Sequence, residues 1–150
     1  MSKKNTRNAL DTSLSYAVIG LDLAKADCAV AAVPCADDEL GLIDRMDYES
    51  LFEQAEKLKP TLFAMEPCCG YSQISLRLQN MGHEVKVISG HAVKNGIATH
   101  KSNQKTDLND ATALAKLALY DHDLQPTRVK NVEECRIASV QAIRIQLRTQ

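Results

Sequence analysis

Apolar positions along this chain change their period several times, and each change marks an element. YAVIGLDLA (16–24) and ADCAVAAVP (26–34) are apolar runs about one residue apart, which predicts a hairpin of two buried strands. A third strand is expected near 40–47, after a turn from Pro34 to Asp38, and SLFEQAEKLK reads as a helix over about 49–59, stopped by Pro60. TLFAME (61–66) is a short apolar strand and PCCG a tight turn. Tyr71, Ile74, Leu78 and Met81 then recur at spacings of 3, 4 and 3, one helical stripe ending at Gly82. HEVKVIS (83–89) alternates as a strand, and residues 90–98 form a short helix ahead of the polar loop THKSNQKT. From Asp107 a helix runs to about Tyr120 with Leu108, Ala111, Ala115 and Ala118 down one side. Pro126 breaks the chain, and 131–150 make a last helix with Ile137, Val140, Ile143 and Leu147 on one face.

Three strands thus lead into alternating helices and strands. That order predicts an α/β fold, a mixed five-stranded sheet flanked by helices. Residues 1–15 read as a flexible leader, 16–126 as the folded domain and 127–150 as the start of a coiled-coil-like helical segment. The last apolar face stops in mid-pattern without an obvious partner, so a longer protein is expected.

Composition narrows this little: 45% of the 150 residues are hydrophobic, 25% charged, and the net charge is −1. No stretch nears the roughly 18 uninterrupted apolar residues of a membrane span, and the polar opening MSKKNTRNALDTSLS lacks a secretory core. A cytoplasmic protein without a membrane partner is expected. The five cysteines (Cys28, Cys35, Cys68, Cys69, Cys135) are odd in number and form no C-x-x-C pair, so reduced thiols are the reading, with Cys68 and Cys69 buried beside a tight turn. His83, His91, His100 and His122 lack zinc spacing and are expected at the surface.

Charge distribution is more informative than its sum. Residues 22–66 carry 4 basic and 11 acidic groups, a balance of −7, whereas 83–105 and 124–150 each carry +3. An acidic part followed by basic segments suits a protein that handles a polyanion.

The candidate chemistry lies in four carboxylates. Asp22 interrupts one apolar strand and Glu66 closes another, and burying a carboxylate is costly without a cation or hydrogen bonds. Asp107 and Asp110 stand at i and i+3 at a helix start, on one face and where negative charge is favoured. Such oxygen donors suit Mg²⁺ or Mn²⁺, and two ions about 4 Å apart serve phosphodiester cleavage. A helix cap for Asp107 and a solvated first-turn acid for Asp110 are the plainer alternatives. In mixed sheets ligands bind beyond the carboxyl ends of strands, the ends where Asp22 and Glu66 are expected.

GLDLAK, MEPCCGYSQISLRLQNMGHEVKVI and HAVKNGIATHKSNQKTDLNDATALAKLA, over about 16–150, resemble the N-terminal half of the bridge-RNA-guided insertion-sequence transposases, a family that includes the Piv-type DNA invertases. The resemblance implies a RuvC-like domain of the ribonuclease H-like fold and places an Asp-Glu-Asp-Asp tetrad, catalytic and metal-binding, on Asp22, Glu66, Asp107 and Asp110. It also implies metal-dependent DNA cleavage and transfer, a guide RNA as partner, and a homodimer or tetramer through the C-terminal helix. The turn after the glutamate departs from the usual Thr-Gly or Cys-Gly, with Pro67, Cys68 and Cys69 leading to Gly70. In that family a C-terminal domain supplies a catalytic serine; Ser72, Ser75, Ser89, Ser102 and Ser139 do not stand in its motif.

Lys25, Lys94, Lys101 and Lys105 are candidate phosphate contacts, with His100 in the same basic stretch. Arg144 and Arg148, with Arg136, fit either nucleic-acid contacts or a solvated coiled-coil flank. Two Phe, four Tyr and no Trp argue against a base-stacking platform. Two other readings compete: a non-catalytic module that binds nucleic acid or oligomerises, and an actin-like phosphotransferase, for which the six scattered glycines supply no phosphate loops.

Overall fold

The computed structural model describes residues 9–36, 40–68, 70–99, 107–120 and 126–149, with the side chains of 96–99 and 107 left aside. Its elements are β1 (Tyr16–Leu23), β2 (Asp27–Pro34), β3 (Gly41–Asp47), α1 (Tyr48–Lys57), β4 (Leu62–Met65), α2 (Tyr71–Asn80), β5 (Glu84–Val87), α3 (Gly90–Thr99), α4 (Asp107–Tyr120) and α5 (Val132–Arg148). The strands form one sheet in the order β3-β2-β1-β4-β5. β1 pairs antiparallel with β2 and parallel with β4. This is the mixed, ribonuclease H-like sheet that the sequence predicts.

Alternation along the strands sorts the core into two layers. Ile19, Leu21, Cys28, Val30, Phe63 and Met65 join Leu51, Phe52, Ile74 and Leu78 of α1 and α2 on one face. Val18, Ala29, Ala31 and Ala64 meet Val93 of α3 and Ala111, Leu114, Ala115 and Ala118 of α4 on the other. The first face is filled by bulky side chains. The second is lined by alanines, which lets α4 approach the sheet closely. Register shifts between Tyr16 and Val18 and between Cys28 and Val30 reset the alternation; that is why Tyr16 and Ile19 share a layer.

The junctions are fixed by polar contacts. Asp47 caps α1, its carboxylate accepting from the Ser50 N–H at 2.8 Å. Those bonds from Ser50 hold the Asp47 carboxyl below its usual range. Gly70 (φ 86°) supplies the left-handed residue between the Pro67 turn and α2. His83 is buried, contrary to the surface position expected for the histidines. Its Nδ1 accepts from the Thr61 N–H at 3.1 Å, so Nε2 carries the hydrogen and donates to the Ala55 carbonyl at 2.8 Å. An edge-on contact with Phe63, ring centroids 5.1 Å apart, completes the clamp between α1, β4 and β5. A lone His after a turn glycine looks solvated in sequence; here it satisfies two backbone groups at once.

Leu10 is buried and accepts no solvent position, its N–H donating to Gln54 Oε1 at 2.7 Å, so the end of the expected leader lies on the fold. Beyond α4, Thr127 forms an isolated antiparallel bridge to Val87. α5 opens with a capping box between Asn131 and Glu134 and buries none of its residues. No described helix is long and apolar enough to cross a membrane.

Candidate metal centre

The register of two parallel strands brings the first two acids together. Leu21 pairs with Met65, and the next residue on each chain is Asp22 and Glu66, so these stand side by side at neighbouring strand ends, where strands are about 4.8 Å apart. By alternation Asp22 shares a face with Gly20 and Glu66 with Ala64, the alanine-lined face covered by α3 and α4. Both acids are half-buried.

Gly20 fixes how α4 meets that face. A Cβ placed on Gly20 would lie 2.1 Å from the Ala111 carbonyl oxygen and 2.8 Å from the Ala115 nitrogen. Helix backbone thus rests directly on the strand, which only glycine permits. Asp110, half-buried, adjoins Ala111, and Asp107 opens the same helix less than one turn before it. Glu66 reaches the opposite helix: its Oε1 lies 2.9 Å from the position a Cβ on Gly90 would take, at the start of α3.

Asp22 and Glu66 therefore stand at adjoining strand ends on one face and Asp110 on the helix that covers that face, while the side chain of Asp107 lies outside the described residues. Among the described residues no three His, Cys, Asp or Glu side chains stand close enough together to hold a metal ion. The side chains in question are carboxylates, whose oxygen chemistry would suit a hard divalent cation better than zinc.

Other expected contacts are dispersed. Lys25 is exposed in the β1–β2 turn, Lys94 is exposed on α3, and Arg144 and Arg148 are exposed on α5. Lys101, Lys105 and His100 lie outside the described residues, as does Cys69. Cys68 is exposed, not buried as expected, because the chain leaves the sheet at Pro67. Cys28 is the buried thiol; burial, then the charges of Asp27, Asp22 and Asp47, push it up to about 12. Tyr48, whose hydroxyl donates to the Ala24 carbonyl at 2.5 Å, ties α1 to the turn that follows Asp22.

Gly20 and Gly90 carry no reactive group and did not stand out as site residues. An isolated glycine inside an apolar strand signals close backbone approach, so Gly20 was detectable in principle. Gly90 had no such local mark.

A family model described as a transposase, of the DEDD type found in IS110 elements, matches residues 19–150. No curated protein matches the chain.

Proposed function

The chain belongs to this DEDD transposase family, and from that premise we propose that Asp22, Glu66, Asp107 and Asp110 hold Mg²⁺ or Mn²⁺ for DNA strand cleavage and transfer. The observation that carries the proposal is the in-register pairing of Leu21 with Met65, which sets Asp22 beside Glu66 beneath the helix bearing the other two acids. Unneutralised carboxylates repel one another, and a cation held by Asp22, Glu66, Asp107 and Asp110 would offset that cost. Bound divalent metal supplies Lewis-acid activation of oxygens at the scissile phosphodiester.

The chain's own residues do the rest. The carboxylates orient the reacting phosphate through the site they form, and their placement on rigid strand ends and a helix start limits its movement. Lys25 and Lys94, with Lys101 and Lys105, hold the DNA backbone or a guide RNA against the acidic end of the sheet. α5 carries the self-association surface, as dimer or tetramer, with Arg144 and Arg148 toward nucleic acid.

In a recombination assay of the full-length protein, with its C-terminal serine domain, Asp22→Ala or Asp107→Ala abolishes strand cleavage and transfer while circular dichroism and melting remain those of a folded protein. Normal recombination by either folded variant removes the catalytic assignment. A second reading, a module that only binds nucleic acid or oligomerises, is favoured by the exposed Ile137, Val140, Ile143 and Leu147 on α5. It requires that both variants behave as the parent chain in Mn²⁺ binding.

A further inference from the structure

Gly90 is an unusual choice for the first position of a helix whose start is otherwise well built. Ser89 caps α3, its hydroxyl accepting from the Ala92 N–H at 3.3 Å and its carbonyl from the Val93 N–H at 3.1 Å. The positive-φ glycines among the described residues are Gly70 and Gly82, so the backbone at Gly90 does not demand glycine. Alanine is the better helix former. Steric need is also narrow: apart from chain neighbours and the helix's own backbone, the one described heavy atom within 4 Å of a Cβ at this position is Glu66 Oε1, at 2.9 Å.

That contact has an uneven consequence. Glu66 Oε1 is the far end of a flexible side chain, so a methyl group at position 90 is accommodated without moving backbone. The carboxylate itself must retreat by about half an ångström to reach ordinary van der Waals separation, beginning at 3.4 Å. Small divalent cations accept little error in ligand placement, and displacements on the ångström scale are enough to cost catalysis heavily. Stability and metal binding thus respond differently to the same substitution.

We propose that Gly90 is a positioning residue for Glu66: the missing side chain leaves the space in which the Glu66 carboxylate lies against the first turn of α3, next to the strand end that carries Asp22. The proposal rests on the metal-binding reading of Glu66 given above. It makes α3 one wall of the site, and it assigns to a residue without functional groups control over where one of the acids points.

The test is calorimetric titration of Mn²⁺ into the chain and its G90A, E66A and G90A/E66A variants, with thermal unfolding followed in EDTA. G90A is expected to melt close to the parent, to bind Mn²⁺ about 10–100-fold more weakly, and to add nothing in the E66A background. Parent-like Mn²⁺ affinity in G90A beside weakened affinity in E66A overturns the role of Gly90 and leaves the metal reading standing. Unchanged affinity in E66A, or no binding by the parent chain, overturns both. Should G90A fail to fold, the double variant decides. Folding restored by removing Glu66 supports the contact, and continued unfolding shows that the backbone needs glycine and overturns the inference.

Discussion

Gly20 of β1 lies directly against Ala111 of α4, so close that a Cβ would stand 2.1 Å from the Ala111 carbonyl oxygen. The obstructing atoms at Ala111 and Ala115 are helix backbone, which cannot rotate aside. Gly20→Ala must lift α4 from the sheet and open the alanine-lined layer. The expected cost is about 1–3 kcal/mol or more, read as a lower denaturation midpoint. Because α4 carries Asp107 and Asp110, weaker Mn²⁺ binding is expected with it. A variant as stable as the parent contradicts the packing described for this layer.

His83 makes a second separable contribution. Removing its ring leaves the Thr61 N–H and the Ala55 carbonyl without their partner and takes away an edge contact from Phe63. His83→Ala is expected to lose about 2–3 kcal/mol of stability. The site is distant in the chain's organisation, on the α1–α2 side of the sheet, so Mn²⁺ affinity of the folded fraction stays as in the parent. Urea unfolding together with metal titration checks both halves of this expectation.

Thiol chemistry gives a pH-dependent check. Burial, reinforced by neighbouring acids, raises Cys28 from 9.0 to about 12, whereas Cys35 and Cys68 are exposed. Since the folded value lies above the unfolded one, the protonated thiol's contribution to stability is whole below pH 9 and is lost as pH rises toward 12. Iodoacetamide at pH 8 is expected to modify Cys35 and Cys68 and to spare Cys28 until the protein unfolds. Mass spectrometry of the labelled peptides reads the result, and rapid native labelling of Cys28 contradicts it.

Much of the fold was legible because the strands keep their alternation. YAVIGLDLA and TLFAME announce two buried strands and the acids at their ends, and the sheet places those ends together. What local pattern does not encode is contact between distant segments. The polar neighbourhood of His83 gives no hint that Ala55 and Thr61 both need it. A small thiol beside a tight turn reads as buried, yet Pro67 turns the chain outward and Cys68 is exposed. The register shift beside Tyr16 is likewise a property of the pair of strands, not of either alone. At the candidate site, the residue types were readable. The narrow fit between Glu66 and Gly90 required the fold.

The most direct measurement is anomalous diffraction from a crystal of the chain soaked in Mn²⁺. The expected result is a peak bounded by carboxylate oxygens of Asp22, Glu66 and Asp110, with Asp107 brought in from the first turn of α4. Ordered Mn²⁺ found only elsewhere, with these acids pointing apart at saturating metal, contradicts the metal centre on which the proposed DNA chemistry depends.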